Sequence, residues 1–308
     1  MSAPLTVGVI GPAGFTGSHV CVELLGRGHT VVGISRHPEK FGTHPRYVAK
    51  SVDVGQLSIA ALAEAFSGLD VLICCYGPQP GGPGSSLYRS FIEVVRRIVL
   101  AVRQVENLYF MFIGGAGSLH VPGTTGICTA DDPDFLVAYR RAIADSEAHT
   151  SYLVERLGPM GSALREFRTA RVAERQGQAT EETRAFIDDY EEKARSQDFA
   201  LEFIQAVRTT FMFFDGNTSF SWTFVSPPPL YRPGTRTGSY EVAVDDVPLT
   251  GQKVSDNMFE GRLTGITAAD LAIAVADESE RKAHKHQHWT ASGDLSDDKP
   301  TSIFKTLD

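Results

Sequence analysis

The sequence predicts an α/β protein, a doubly wound parallel sheet with an inserted helical cap, and three observations carry that prediction. Apolar runs alternate with helical patterns as far as Ile113, the βαβα rhythm of a parallel sheet covered on both faces. A glycine-spaced turn, Gly11-Pro-Ala-Gly14-Phe-Thr-Gly17, joins the first strand to the first helix. From about Asp132 to Phe214 the helical signals run on without a convincing strand, and strand character returns only at Ser219.

Taken in order, the first half reads as strands at Leu5–Ile10, Thr30–Ser35, Tyr47–Val54, Asp70–Cys75 and Leu108–Ile113. Helices are predicted between them over Phe15–Arg27, Gln56–Phe66 and Ser85–Val105. The last is the clearest, because Phe91, Val94, Val95, Ile98 and Val102 recur at three- and four-residue spacing. The cap is predicted as helices Pro133–His149, Ser162–Gln176, Thr180–Ser196 and Gln197–Phe213. Thr180 is a natural N-cap followed by two glutamates at the positive helix end. The charged stretch Glu181–Arg195 reads as a solvated helix face. Strands at Ser219–Val225 and Tyr240–Val244, a threonine-capped helix at Thr267–Asp277 and a closing strand at His288–Thr290 complete the sheet. The expected organisation is a nucleotide-binding domain of residues 1–131 and 215–292, a substrate cap of 132–214 and a loose polar tail of 293–308.

Composition narrows the function classes. The chain has 308 residues, enough for a large core, with a formal net charge of −8 and no basic surface bias. That balance argues against a nucleic-acid partner. No apolar run is long enough to span a bilayer and no secretory leader is evident, so a cytoplasmic protein without a membrane partner is expected. The four cysteines, Cys21, Cys74, Cys75 and Cys128, have no C-x-x-C spacing. They suit reduced thiols better than disulfides or a zinc site, and no metal is expected.

The chemistry lies at strand ends. In the glycine turn one glycine bends the chain, the next admits a phosphate to the backbone, and the third lets helix and strand pack closely. The helix's first amides would then hold a diphosphate. After the second strand come Ser35 and Arg36 with no acidic residue beside them. An acidic residue there favours NAD, whereas a guanidinium suits the 2′-phosphate of NADP. Asp53, near the end of the third strand, could meet the adenine amino group or simply cap a turn. Tyr76 and Gly77 lead into the Pro/Gly-rich loop 78–84, and Gly114, Gly115 and Ser118 follow the fifth strand. Bare backbone at Gly114 and Gly115 would let a flat ring lie close, and the Ser118 hydroxyl could bond a substrate oxygen.

Together Gly11–Gly17, Arg36-His-Pro38, Gly114-Gly-Ala-Gly-Ser118, Trp222-Thr-Phe-Val-Ser-Pro-Pro228, Pro233-Gly-Thr-Arg-Thr-Gly238 and Thr267-Ala-Ala-Asp-Leu-Ala272 resemble an atypical short-chain dehydrogenase/reductase. The similar subgroup is the NAD(P)H-binding, NmrA-like one, which includes candidate NADH-flavin reductases and resembles biliverdin reductase B. The resemblance spans roughly 1–130 and 217–291 and leaves out the cap. It implies a Rossmann-type sheet, with Gly11, Gly14, Phe15, Thr16 and Gly17 on the diphosphate and Ser35 and Arg36 on the adenosine phosphate. It further implies that Tyr76–Pro78, Gly114–Ser118 and Ser226–Pro228, Pro227 included, line the nicotinamide.

The chain departs from the wider family in lacking its Tyr-x-x-x-Lys pair: it has no lysine between Lys50 and Lys193, and Ile143 stands four residues after Tyr139. Tyr139 and Ser118 are the candidate catalytic residues, with Arg140 or Arg141 as electrostatic help and His120 or His149 as alternative acids. The expected activity is NADP(H)-dependent hydride transfer to a flavin, quinone or enone, acceptors that need mainly stacking and alignment. Phe211, Met212, Phe213 and Phe214 would either line the cap or dock it onto the sheet. Two other classes remain open: a redox-sensing regulator that binds NADP(H) without turnover, and a non-redox isomerase, dehydratase or cyclase. A small-molecule substrate is the expected partner, and a homo-oligomer is compatible with the sequence.

Overall fold

The computed structural model describes residues 3–77, 86–196, 199–253 and 255–307; the predicted loop 78–84 lies outside them. Strands β1 (Thr6–Ile10), β2 (Thr30–Ser35), β3 (Tyr47–Ser51), β4 (Val71–Cys74), β5 (Tyr109–Ile113) and β6 (Ser221–Val225) lie parallel in the order β3-β2-β1-β4-β5-β6. The fold is therefore a Rossmann-like doubly wound α/β sheet. Beyond β6 come β7 (Leu230–Arg232), β8 (Tyr240–Val244), β9 (Gly265–Thr267) and β10 (His288–Gly293). Of these, β10 continues the parallel sheet and β8 pairs antiparallel along its whole length. The short β7 and β9 pair parallel to each other at the far edge. Three residues are too few to show a period, which is why the sequence did not reveal them.

Helices α1 (Phe15–Gly26) and α9 (Ala268–Arg281) cover one face, where Val20, Leu24, Leu271 and Val275 pack on the apolar sides of β1, β4 and β5. The opposite face holds α2 (Ile59–Phe66), α3 (Ser86–Val102) and α8 (Phe199–Thr210). There Phe110, Phe112, Phe214 and Phe224 form a fully buried ring cluster with centroids 5.1–5.8 Å apart. Each such side chain contributes roughly 2–3 kcal/mol through burial. Phe211 and Phe214 thus dock the cap onto the sheet, and Met212 is 71% exposed. None of the four residues 211–214 lines the cavity described below.

Between β5 and β6 the chain also forms α4 (Pro133–Asp145), α5 (Glu147–Leu157), α6 (Ser162–Arg175) and α7 (Glu181–Arg195). The single helix expected over Pro133–His149 is two. Ser146 turns extended (φ −104°, ψ 127°), and its hydroxyl accepts from the His149 amide at 3.0 Å, ending α4 and capping α5. The charged face of α7 is not wholly solvated either. Glu191 is buried and takes two 2.6 Å hydrogen bonds from Arg141, which also reaches Glu260 at 3.0 Å.

The C-terminal segment is not loose. Asp298 accepts from the amides of Glu147 and Ala148 at 2.8 and 3.0 Å and from the Ser146 hydroxyl, so the tail caps α5. Buried Arg232 donates to the carbonyls of Leu295 and Asp297, buried Ile303 bonds the His19 ring, and the Leu307 amide donates to Phe41. A polar composition concealed these anchors because most of them use backbone groups.

Candidate active site

Strand order reverses between β1 and β4, and the glycine turn sits at that point. The Gly11 amide donates to the Ile34 carbonyl at 3.0 Å with φ +83°, a conformation that suits glycine. A Cβ on Gly17 would overlap the Gly11 carbonyl oxygen, so only glycine lets the chain double back here. Gly14 is the N-cap of α1 and places no side chain over the first-turn amides, which leaves them open to an anion. Gly11, Gly14 and Gly17 together make the cradle that a dinucleotide diphosphate requires. The residues present fit that group.

Beside the turn lies a cavity of about 280 Å³ at the carboxyl ends of the strands. Its sheet wall is Phe15 and Thr16 from the start of α1, Cys75, Tyr76 and Gly77 after β4, Gly114 and Gly115 after β5, and Pro227 after β6. Its other wall, the cap wall, comes from the helices between β5 and β6: Phe135 and Tyr139 of α4, Tyr152, Leu153 and Arg156 of α5, and Ile204 and Val207 of α8. Tyr231 of β7 closes one side, and its hydroxyl donates to Thr16 Oγ1 at 3.0 Å. Phe15 is the junction between the walls, with ring centroids 4.9 Å from Tyr152 and 5.0 Å from Tyr231.

The sequence-predicted residues divide at this cavity. Phe15, Thr16, Tyr76, Gly77, Gly114, Gly115, Pro227 and Tyr139 line it, while the three turn glycines lie directly behind Phe15 and Thr16. Ser35 and Arg36 stand at the end of the neighbouring β2, with Arg36 exposed and within electrostatic reach of Tyr76. Asp53 lies within the same reach of Tyr76, and its Oδ1 accepts from the Gly55 amide at 2.9 Å, so it holds a turn. Pro78 lies outside the described residues.

Two serines are elsewhere. Ser118 is fully buried at the end of a single helical turn whose Ala116 and Gly117 line the cavity while Ser118 does not, and its hydroxyl has no partner among the described residues. Ser226 is likewise buried, with Oγ 2.8 Å from His288 Nε2 of β10, so its hydroxyl serves the strand pair behind Pro227. A serine following a strand can point to either side of the sheet, and the side is set by pairing that sequence does not reveal. His120 and His149 do not line the cavity either. Burial lowers His149 to about 3, which keeps it neutral. Arg141 is committed to Glu191 and Glu260 and gives Tyr139 no direct help.

The residues missed from sequence lie on α5. Tyr152 and Arg156 are separated by four positions on one helix face, and both reach the cavity. Burial pushes the Tyr152 phenol up to about 12, while the charge of the neighbouring Arg156 pulls the other way. Tyr139 is also raised by burial and lies parallel to Phe135 at 6.0 Å. The signal was present as Tyr152-Leu-Val-Glu-Arg156, with arginine where a lysine was sought. Ser146 followed by Glu147 is a readable helix start for the element that carries them.

Residues 11–153 match the NAD(P)H-binding family. Over 287 residues the chain is 25% identical to the YwnB protein of Bacillus subtilis, a match covering 93% of this chain and 97% of that one. Its fold is shared by a candidate epimerase of Bacteroides thetaiotaomicron, with a TM-score of 0.63 and 22% identity over 94% of this chain and 97% of the other. A candidate NADH-flavin reductase of Streptococcus pneumoniae gives a TM-score of 0.58 at 17% identity, covering 94% and 100%. A wide-type short-chain dehydrogenase/reductase of Veillonella parvula, in complex with NADP, gives 0.51 at 10% identity, covering 97% and 100%. Fold, glycine cradle and the match over residues 11–153 make the chain similar to NAD(P)H-binding proteins, with the Rossmann-like sheet that its structural neighbours share. The chain carries a Tyr-x-x-x-Arg pair, Tyr152 and Arg156, on α5.

Proposed function

We propose that the protein is an NADPH-dependent oxidoreductase that passes a hydride to a conjugated or aromatic small molecule of the flavin, quinone or enone type. The observation that carries this reading is the pairing of the two cavity walls. A backbone-lined cradle at the strand ends faces a wall of aromatic and aliphatic side chains across one cavity. Flat unsaturated acceptors suit such a wall. The bound nicotinamide would supply the hydride.

The chain's own residues then take the following parts. The amides around Gly11, Gly14, Phe15, Thr16 and Gly17 bind the diphosphate, and Ser35 and Arg36 bind the adenosine 2′-phosphate. Tyr76, Gly77, Gly114, Gly115 and Pro227 frame the ring. Tyr152, protonated throughout the neutral range, donates a proton to acceptors that need one. Arg156 stays charged and orients that phenol without exchanging protons itself. The candidate reductase among the structural neighbours supports this reading.

Stopped-flow mixing of the NADPH-loaded protein with menadione, FMN and chalcone, followed at the nicotinamide absorbance, tests the proposal. NADPH oxidation by at least one acceptor is expected. Tight NADPH binding with complete inertness would favour the regulator, and failure to bind NADPH would remove the redox reading altogether.

A further inference from the structure

We propose that the cap wall recognises an anionic group on the acceptor, specifically a carboxylate, through Arg156. This inference rests on the cavity being the substrate site, as proposed above. Arg156 is the one charged side chain among the described lining residues, and no Asp or Glu is among them to offset it. Other arginines of the cap are spoken for: Arg141 by Glu191, Arg165 and Arg168 by Glu147, and Arg171 by Asp145. Arg156 has no carboxylate partner among the described residues.

Arg156 reaches the cavity from the cap wall and packs on the Phe15 ring at the start of α1. The diphosphate cradle belongs to the sheet wall, at the amide end of α1, whereas Arg156 enters from α5 on the opposite wall. The guanidinium stands over the Phe15 ring, 5.9 Å from its centroid, a contact that holds its plane while leaving its N–H edge available. Its charge acts on the neighbouring Tyr152, and its N–H donors can form the paired, charge-assisted bonds that a carboxylate accepts. The acidic group would thus be gripped beside the phenol, with the unsaturated part of the molecule directed along the apolar wall.

Calorimetric titration of the protein, alone and loaded with NADP, against trans-cinnamate, 2-naphthoate and the two corresponding primary amides tests the inference. The carboxylates should bind at least ~10-fold more tightly than their amides, as expected for a charge-assisted pair. Arg156→Gln should abolish that preference and Arg156→Lys should keep most of it, with NADPH affinity changed less than about threefold in both. Thermal melts of both variants establish that they are folded. The inference is overturned if no carboxylate outbinds its amide, or if the preference survives Arg156→Gln. It is equally overturned if Arg156→Gln weakens NADPH as much as the carboxylates, which would assign the cation to the cofactor. A wild-type protein that shows the preference but binds no NADPH would refute the proposed oxidoreductase activity and leave this site standing.

Discussion

The two walls of the cavity are built by different means. The sheet wall is largely backbone: a glycine turn whose shape is dictated by steric exclusion, two further glycine-lined strand ends, and the amide end of α1. The cap wall is side chains on helices whose positions depend on partners far away in sequence, among them Asp298 of the tail and Glu191 of α7. Backbone can bind groups common to many ligands, such as a diphosphate, whereas side chains choose among substrates. The sheet wall is therefore where generic cofactor binding belongs and the cap wall is where specificity belongs.

Breaking the sheet wall should have the largest effect. Gly17→Ala places a methyl against the Gly11 carbonyl oxygen with nowhere to go, because both atoms belong to packed backbone. NADPH affinity by fluorescence titration should fall by ~100-fold or more, as the amides lose their alignment, with a fall in melting temperature alongside. Unchanged affinity would mean that the turn does not hold the diphosphate.

The next effect belongs to the cap wall. Tyr152→Phe should leave NADPH binding near wild type and slow enone reduction by about 100-fold, the typical worth of a positioned general acid. Quinones should respond much less, since solvent can supply their protons. The pH profile sharpens this. Because burial raises the phenol to about 12, the donor form persists through the neutral and mildly alkaline range. Enone reduction should be flat from about pH 6 to about pH 10 and decline only beyond that. A steep loss near neutrality would assign the proton to another group.

The contrast between the walls also explains what could be read from sequence. Gly11, Gly14 and Gly17 are legible because the constraint is local: within one turn Gly11 takes a positive φ, Gly14 leaves little room and Gly17 excludes a Cβ. The parallel core strands are legible for the same reason, since Val7, Val9 and Ile10 in β1, or Phe110 and Phe112 in β5, declare their burial in consecutive residues. Ser118 and Ser226 misled because serine chemistry is local while the direction of the hydroxyl is set by which strand lies alongside. Arg156 was legible as part of a Tyr-x-x-x-Arg spacing but not as a site residue, because the helix that carries it is set by a break at Ser146 that Asp298 completes from 150 residues away along the chain. The tail looked loose for a related reason, as apart from the Asp298 carboxylate most of its anchors are carbonyls and amides that carry no compositional signature.

A smaller, more selective effect is expected at the adenosine end. Arg36 is exposed at the end of β2, and its guanidinium has no hydrogen-bond partner among the described residues, so it is available to a phosphate. Arg36→Ala should weaken NADPH by ~10-fold and leave NADH nearly unchanged, since only the former carries the 2′-phosphate. Equal losses for both cofactors would separate Arg36 from that phosphate and place cofactor choice elsewhere.

The smallest effect concerns how the cap wall is held. Asp298→Ala removes acceptors from the α5 amides of Glu147 and Ala148, and a lost cap of this kind costs about 1 kcal/mol. Burial alone would raise the Asp298 carboxyl, but the hydrogen bonds from Ser146, Glu147 and Ala148 outweigh it and hold the group below its ordinary value. A carboxyl depressed in the folded state stabilises above its unfolded pKa, near 4, and the contribution disappears as pH falls through the folded value. The melting-temperature gap between wild type and Asp298→Ala should therefore be present at neutral pH and close in acid, as the folded carboxyl is protonated. NADPH affinity should not move, whereas ligand selectivity at Arg156 should, because α5 carries that residue and none of the diphosphate cradle. If Asp298→Ala instead weakened NADPH and spared selectivity, the two walls would not be the independent units that the geometry makes them.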